Sequence, residues 1–396
     1  MLSERARNVK SSVTVDLNAK IAEMRRNGEK ILSLNIGEPD FGTPLNIKKA
    51  AEGAIEAGFT KYTAANGMAE LRKAISEKLE KENHVIYSPN DICVSVGAKQ
   101  AIMNALLATC GPGDEVLLPI PCWVSYEEMI GLTGAKVVHI SLKEENGYAL
   151  DLEAIEKAVT SRTKAIVINT PNNPSGCVYS EESLRGLAAL AVKYQFYIIA
   201  DEIYEKLIYD GAIHFSVASI SEEVKKLAVT VNGFSKAYAM TGWRVGYSAA
   251  APEVAKAIRA IQSHMTSATC SISQKAALEA LQGPQDEMNA MVKAFSSRRT
   301  FLVKRLNEID GLSCPNSKGA FYLLPDVGRI LGRSYEGKVI ENTQDLAKYL
   351  LDTVRVAVVP GEAFNVPGKI RISYSNSIEN LKEATDKLEE AIKKLQ

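Results

Sequence analysis

From about Asn90 onward the chain repeats one pattern: a short β-rich run that is apolar on both faces, a turn, then a stretch with helical periodicity. The runs are "ICVSV", "EVLLP", "AKVVHI", "KAIVIN", "FYIIAD", "LAVTVN" and "VGYSAA". A strand that buries one face alternates apolar with polar residues, whereas a strand covered on both sides is apolar throughout. Such runs interleaved with helices require an α/β domain: a largely parallel sheet with helices on both faces. The turn signals "GPGD" at Gly111, "ENG" at Glu145 and "PNNPSG" at Pro171 separate the units.

Beyond about Ala276 the character changes to long, charged, helix-periodic stretches interrupted by "GAFYLLP" and "VRVAVVPGEAF" and closed by "SIENLKEATDKLEEAIKKLQ". At 396 residues the chain exceeds what one hydrophobic core serves, so a second, smaller α+β domain is expected. Lys plus Arg and Asp plus Glu both number 47. This balance gives no net field for nucleic acid or an anionic membrane, and any anion binding must be local. The six cysteines are scattered without a C-x-x-C pair, which suits reduced thiols, and the four histidines lack metal-ligand spacing. No metal, nucleic acid or membrane partner is expected. With no apolar signal core and no spanning segment, the expected location is the cytoplasm.

In open α/β sheets ligands lie beyond the carboxyl ends of the strands. The polar residues just after the apolar runs are Gly97, Ala98 and Lys99; Asn173; Asp201 and Tyr204; Ser235 and Lys236. The last pair opens "SKAYAMTGWRVG", in which Lys236 and Arg244 sit among Ala, Tyr, Met and Trp. Taken alone, Lys236 reads as a surface lysine. In apolar surroundings near a second cation, however, a lysine is driven toward its neutral form, which attacks carbonyls. The strand–glycine–helix junction "ICVSVGAKQAI" offers unpaired N–H groups and the positive end of a helix dipole, an anion site to which Ser235 and Arg244 can add. Asp201, taken alone, is a helix cap; Asn173 and Tyr204 are a turn asparagine and a core tyrosine; Trp123 in "PCWVSY" is core packing; Arg371 in "KIRISYS" is an exposed strand arginine.

Together, "SKAYAMTGWRVGY", "PNNPSG", "ADEIY", "RISYS" and the N-terminal "NIGEPDF" occur in the order and spacing of the class I aminotransferases, and the chain resembles that pyridoxal-phosphate-dependent family over nearly its whole length. The resemblance implies a fold type I architecture: residues 1–44 as an N-terminal arm and part of a small domain, 45–280 as a large cofactor-binding domain, and 281–396 as the rest of the small α+β domain. It implies pyridoxal 5'-phosphate bound covalently by Lys236, with Asp201 on the pyridine nitrogen and Tyr204 and Asn173 on the phenolic oxygen. Trp123 would stack on the ring, and Gly97, Ala98, Lys99, Ser235 and Arg244 would surround the phosphate. Many relatives carry a hydroxyl residue where Ala98 stands. Tyr62 matches a residue that reaches the phosphate of a neighbouring subunit, which implies a homodimer with shared sites. Arg371 and Gly37 match the contacts of the substrate α-carboxylate.

Lys99 stands in the first turn of a helix, against the dipole. It resembles the lysine that receives the distal carboxylate in one aspartate aminotransferase subgroup, with Ser12 and Thr14 matching its helper hydroxyls. The expected reaction is therefore ping-pong transamination, aspartate plus 2-oxoglutarate giving oxaloacetate plus glutamate. Alternatives are aromatic, alanine or prephenate/arogenate transamination, a carbon–sulfur lyase or aminocyclopropane-carboxylate synthase of the same fold, and, least favoured, a ligand-sensing domain without catalysis.

Overall fold

The computed structural model describes residues 2, 3, 6, 7, 9, 10 and 13–396; the side chains of residues 13 and 14 lie outside that description. Helix α1 (Val13–Arg26) leads into the short strand β1 (Leu32–Ser33), and then α2 (Leu45–Glu56) and α3 (Ala69–Asn83). The apolar runs follow as strands of one seven-stranded sheet: β2 (Ile92–Ser95), β3 (Glu115–Ile120), β4 (Lys136–Ser141), β5 (Thr163–Asn169), β6 (Tyr197–Asp201), β7 (Ala228–Gly233) and β8 (Gly246–Ala250), in the order β2-β8-β7-β6-β5-β3-β4. Helices α4 (Gly97–Thr109) and α5 (Ser125–Thr133) follow β2 and β3.

The doubly apolar strands are explained by two cores, one on each face. Along β5, Ala165 and Val167 enter the core shared with α4 through Ala101, Ile102 and Ala105. Ile166 and Ile168 enter the opposite core with Leu71 and Ile75 of α3 and Leu184 and Leu187 of the helix Glu181–Tyr194. Each fully buried Val, Leu or Ile among them contributes about 1.5–3 kcal/mol. Two runs depart from the expectation. β8 is antiparallel to both β7 and β2, because residues 234–245 return the chain to the same end of the sheet without a crossover helix. β4 is an edge strand in which only Ile140 is fully buried.

A separate core joins the two chain ends. β1 pairs in parallel with β12 (Val356–Ala357), and β13 (Val359–Pro360), β14 (Ile370–Ser373) and β9 (Tyr322–Leu323) form a three-stranded sheet; β10 (Ser334–Tyr335) and β11 (Lys338–Val339) make a hairpin. Leu34, Phe295, Phe321, Ile370 and Ile372 pack there with Leu381, Ala384 and Leu388 of the closing helix Ile378–Lys393. The spacing of those last residues is the helical stripe read in the sequence, and Ser377 Oγ caps the helix by accepting from Asn380 N–H. All six cysteines are free. Among the described residues no helix is long and apolar enough to cross a membrane.

Candidate active site

Where the ends of β6 and β7 and the first turn of α4 face the core that joins the chain ends, a cavity of about 500 Å³ opens, a volume in the range of small-ligand sites. Lys236, Asp201, Tyr204, Asn173, Trp123, Arg371 and Arg244 all line it, with Gly37, Ala98, Lys99 and Ser235.

Lys236 is fixed by its chain neighbours. Ala237, Tyr238 and Met240 are buried, and Thr43 ties the loop down, its hydroxyl donating to Ala239 O (2.7 Å) and accepting from Trp243 Nε1 (3.0 Å). The Lys236 ammonium donates to Gly37 O at 2.5 Å. Burial lowers its pKa to about 8; Glu38 and Asp201 oppose the shift, and Arg244 and Arg371 reinforce it. A lysine in this state supplies an appreciable neutral fraction near neutral pH.

Arg244 returns toward the start of α4. Its guanidinium donates to Thr241 O (2.9 Å) and to Val96 O (3.5 Å). At Gly97 φ is +80°, a backbone conformation that favours glycine, and the Arg244 guanidinium packs so close that a Cβ there would lie 2.5 Å from Nη2 and push it away. A cation held against a helix N-terminus is favourable only if an anion lies between them. Lys99, two residues on in the same turn, donates to Ser125 Oγ (3.2 Å) and lies 4.7 Å from the Trp123 ring centre. Burial, then Arg244, lower its pKa.

Asp201 ends β6 and is 4% exposed. It is no helix cap, since a turn follows rather than a helix. Its Oδ1 accepts from Ile203 N–H (3.1 Å) and its Oδ2 from Tyr126 Oη (2.6 Å). Burial pushes its pKa up to about 6, against the pull of those two donors and Lys236. Tyr204 is buried too, but its hydroxyl meets Tyr322 Oη at 3.0 Å.

Arg371 lies on β14 and is 3% exposed. Its neighbours Ile370 and Ile372 enter the core that joins the two chain ends, as strand alternation requires, so the reading of an exposed strand arginine does not apply. The guanidinium donates to Asn173 Oδ1 (3.0 Å) and Asn35 O (2.7 Å) and stacks 4.4 Å from the Tyr322 ring centre; among the described residues its Nε has no partner. It makes no carboxylate pair among the described residues. A buried, charged guanidinium without a paired carboxylate has hydrogen-bonding capacity left for an anion.

The remaining candidates stand apart. Tyr62 is 95% exposed and lines no part of this cavity. Ser12 lies outside the described residues, as does the side chain of Thr14; α1 borders the cavity through Asn18, Ile21, Ala22 and Arg25. Tyr126, Tyr322, Asn35 and Glu38 are among the lining residues that local sequence pattern did not single out. His214, set aside on spacing, meets Glu202 and Glu205 with ligand atoms within 4.8 Å. That cluster is already paired: the Lys78 ammonium contacts Glu205, and Ser216 Oγ donates to Glu202. Burial would raise the Glu205 pKa, yet Lys78, with His214 and Lys206, holds it at about 2.

Residues 29–388 match the family model for aminotransferase class I and II. An aspartate aminotransferase of Bacillus sp. strain YM-2 is 42% identical over 393 residues, covering 99% of both chains. An aspartate/prephenate aminotransferase of Cereibacter sphaeroides is 43% identical over 390 residues, covering 98% of each. Among solved structures, the aspartate aminotransferase of Rhizobium meliloti superposes with a TM-score of 0.96 at 41% identity, covering 100% of both chains. That of Thermus thermophilus with maleate gives 0.93 at 41%, covering 99% of each. A family match across most of the chain, and relatives this similar from end to end, establish that the chain belongs to the class I and II aminotransferases and has their fold type I architecture.

Proposed function

We propose that this aminotransferase uses pyridoxal 5'-phosphate to move the amino group of aspartate to 2-oxoglutarate. The observation that carries the reading is one cavity lined by a lysine of lowered pKa, a buried carboxylate and a buried arginine with an open nitrogen.

The donor set fits the cofactor group by group. The start of α4, Ser235 and Arg244 offer an anion site for a phosphate; Lys236 offers an amine for an aldehyde; Asp201 offers a carboxylate for a protonated ring nitrogen. Tyr204 and Asn173 are hydroxyl and amide partners for a phenolic oxygen, and Trp123 is a flat face for the ring. When bound, the cofactor supplies a conjugated cation that accepts electron density from a substrate carbon. The protein supplies the rest. Arg371, aided by the Gly37 backbone, orients the α-carboxylate; Lys236 Nζ takes the α-proton and returns it; Asp201 keeps the ring nitrogen protonated. Residues 45–280 would hold the cofactor, and the two chain ends would close over the substrate.

The distal carboxylate of aspartate falls to Lys99, which has no carboxylate partner among the described residues and is backed by the Ser125 hydroxyl. Substituting Lys99→Ala removes a charge-assisted contact, so KM for aspartate should rise about 10- to 100-fold, with little change for alanine or phenylalanine. Steady-state kinetics with each donor check this; equal effects on all donors would refute the dicarboxylate reading alone. Prephenate also carries two carboxylates, and relatives are named for it, so it should be assayed as acceptor beside 2-oxoglutarate. Glutamate formed from 2-oxoglutarate separates transamination from lyase chemistry.

The fully exposed Tyr62 is proposed to act in a neighbouring subunit. Lys236→Ala subunits mixed with inactive Tyr62-disrupted subunits should then regain activity in hybrid dimers, measured after joint refolding. Absence of complementation would mean that each site is built from one chain.

A further inference from the structure

We propose that Tyr126 is a positioning residue for the reaction, holding the Asp201 carboxylate in the orientation and charge state that keep the cofactor ring nitrogen protonated; this rests on the reading of Asp201 given above. Tyr126 stands in the first turn of α5 and is 1% exposed. At 2.6 Å its hydroxyl is at the distance of an O–H donor to a charged oxygen. An ionised carboxylate only accepts, so the phenol donates. It stays a donor across the working range, because burial and then the neighbouring Asp201 raise its own pKa well above 10.

The two oxygens of Asp201 are thus held from two different elements: Oδ2 from α5, and Oδ1 by Ile203 N–H in the turn after β6. Rotation of the carboxylate is fixed. The charged groups acting on Asp201 are Lys236, which favours its ionised form, and Glu202, which opposes it; Tyr204 also couples to it. In so buried a place a charge persists only if it is hydrogen-bonded, and Tyr126 is the one side-chain donor it has among the described residues. The same ring meets Trp123 edge-on, with centroids 5.2 Å apart at 85°, so one side chain braces both the ring-nitrogen partner and the stacking face.

The test is Tyr126→Phe, which keeps the aromatic volume and the Trp123 contact. The holoenzyme, carrying cofactor labelled with nitrogen-15 in its ring, is compared with the wild type by NMR at fixed pH and by steady-state kinetics. The ring-nitrogen signal should move toward the neutral-pyridine position, and kcat should fall about 10-fold, with KM for aspartate nearly unchanged. An unchanged signal overturns the inference, whether kcat is retained or lost, because loss alone would report only disturbed packing at Trp123. Asp201→Asn measured alongside separates the two readings. If it too leaves the signal unchanged, the assignment of Asp201 fails; if it alters the signal and Tyr126→Phe does not, only the role of Tyr126 fails.

Discussion

Replacing Lys236 with alanine should reduce transamination by at least about 10⁴-fold, since the variant loses both the nucleophile and the acid–base group that moves the α-proton. The fold should survive. The side chain is half-buried and, among the described residues, makes a single hydrogen bond, to Gly37 O, and its lowered pKa of about 8 reflects burial working against its charge. Removing it relieves that cost, so the melting temperature of the apoprotein should be unchanged or higher. Borohydride treatment followed by mass spectrometry gives an independent check: wild type should retain one cofactor mass per chain after denaturation, and Lys236→Ala none. A variant that turns over aspartate at the wild-type rate would remove the cofactor assignment altogether.

The parts of this molecule legible in its sequence are those that burial writes as composition. A strand such as β5 sends Ala165 and Val167 one way and Ile166 and Ile168 the other, and no arrangement but a doubly covered sheet makes use of such a run. Polar residues at the ends of these runs stood out for the same reason. Asp201 closes a segment in which every other fully buried residue is apolar, and its charge needs a purpose.

Strand direction was less visible. The run that forms β8 looks like its neighbours, and its reversal follows from the helix-free return through residues 234–245. That return also matters for the site, because leaving and re-entering at one end of the sheet puts Lys236 and Arg244 in a single cavity. Tyr126 and Tyr322 were illegible for a different reason. Each sits inside an ordinary apolar pattern, and what sets it apart is the partner of one hydroxyl: Asp201 for the first, and Tyr204 for the second. Such a partnership is created by tertiary packing between segments distant in sequence, and no local spacing encodes it.

Replacing Asp201 with asparagine should separate activity from stability in opposite directions. The amide has no charge to set against a protonated ring nitrogen, so the electron-accepting power of the cofactor falls and kcat should drop about 100- to 1,000-fold, the cost seen when one preorganised electrostatic partner is removed. Stability follows from the sign of the pKa shift. Burial raises the Asp201 carboxyl to about 6 in the folded apoprotein, whereas an unfolded aspartate titrates near about 3.9. The folded state therefore binds this proton more tightly than the unfolded state, and the ionised carboxylate weakens the fold above about pH 6. As pH falls through the folded value toward the unfolded one, that penalty disappears. The Asp201→Asn apoprotein, which carries no such charge, should melt at or above the wild-type temperature at pH 7.5, and the difference should close as the pH is lowered below about 6. Calorimetry across pH, with kcat measured on the same preparations, tests both halves. A variant that is slower and also less stable at every pH would mean that Asp201 serves the fold through Tyr126 and Ile203; lost activity with gained stability means that the protein tolerates a costly buried charge because the reaction uses it.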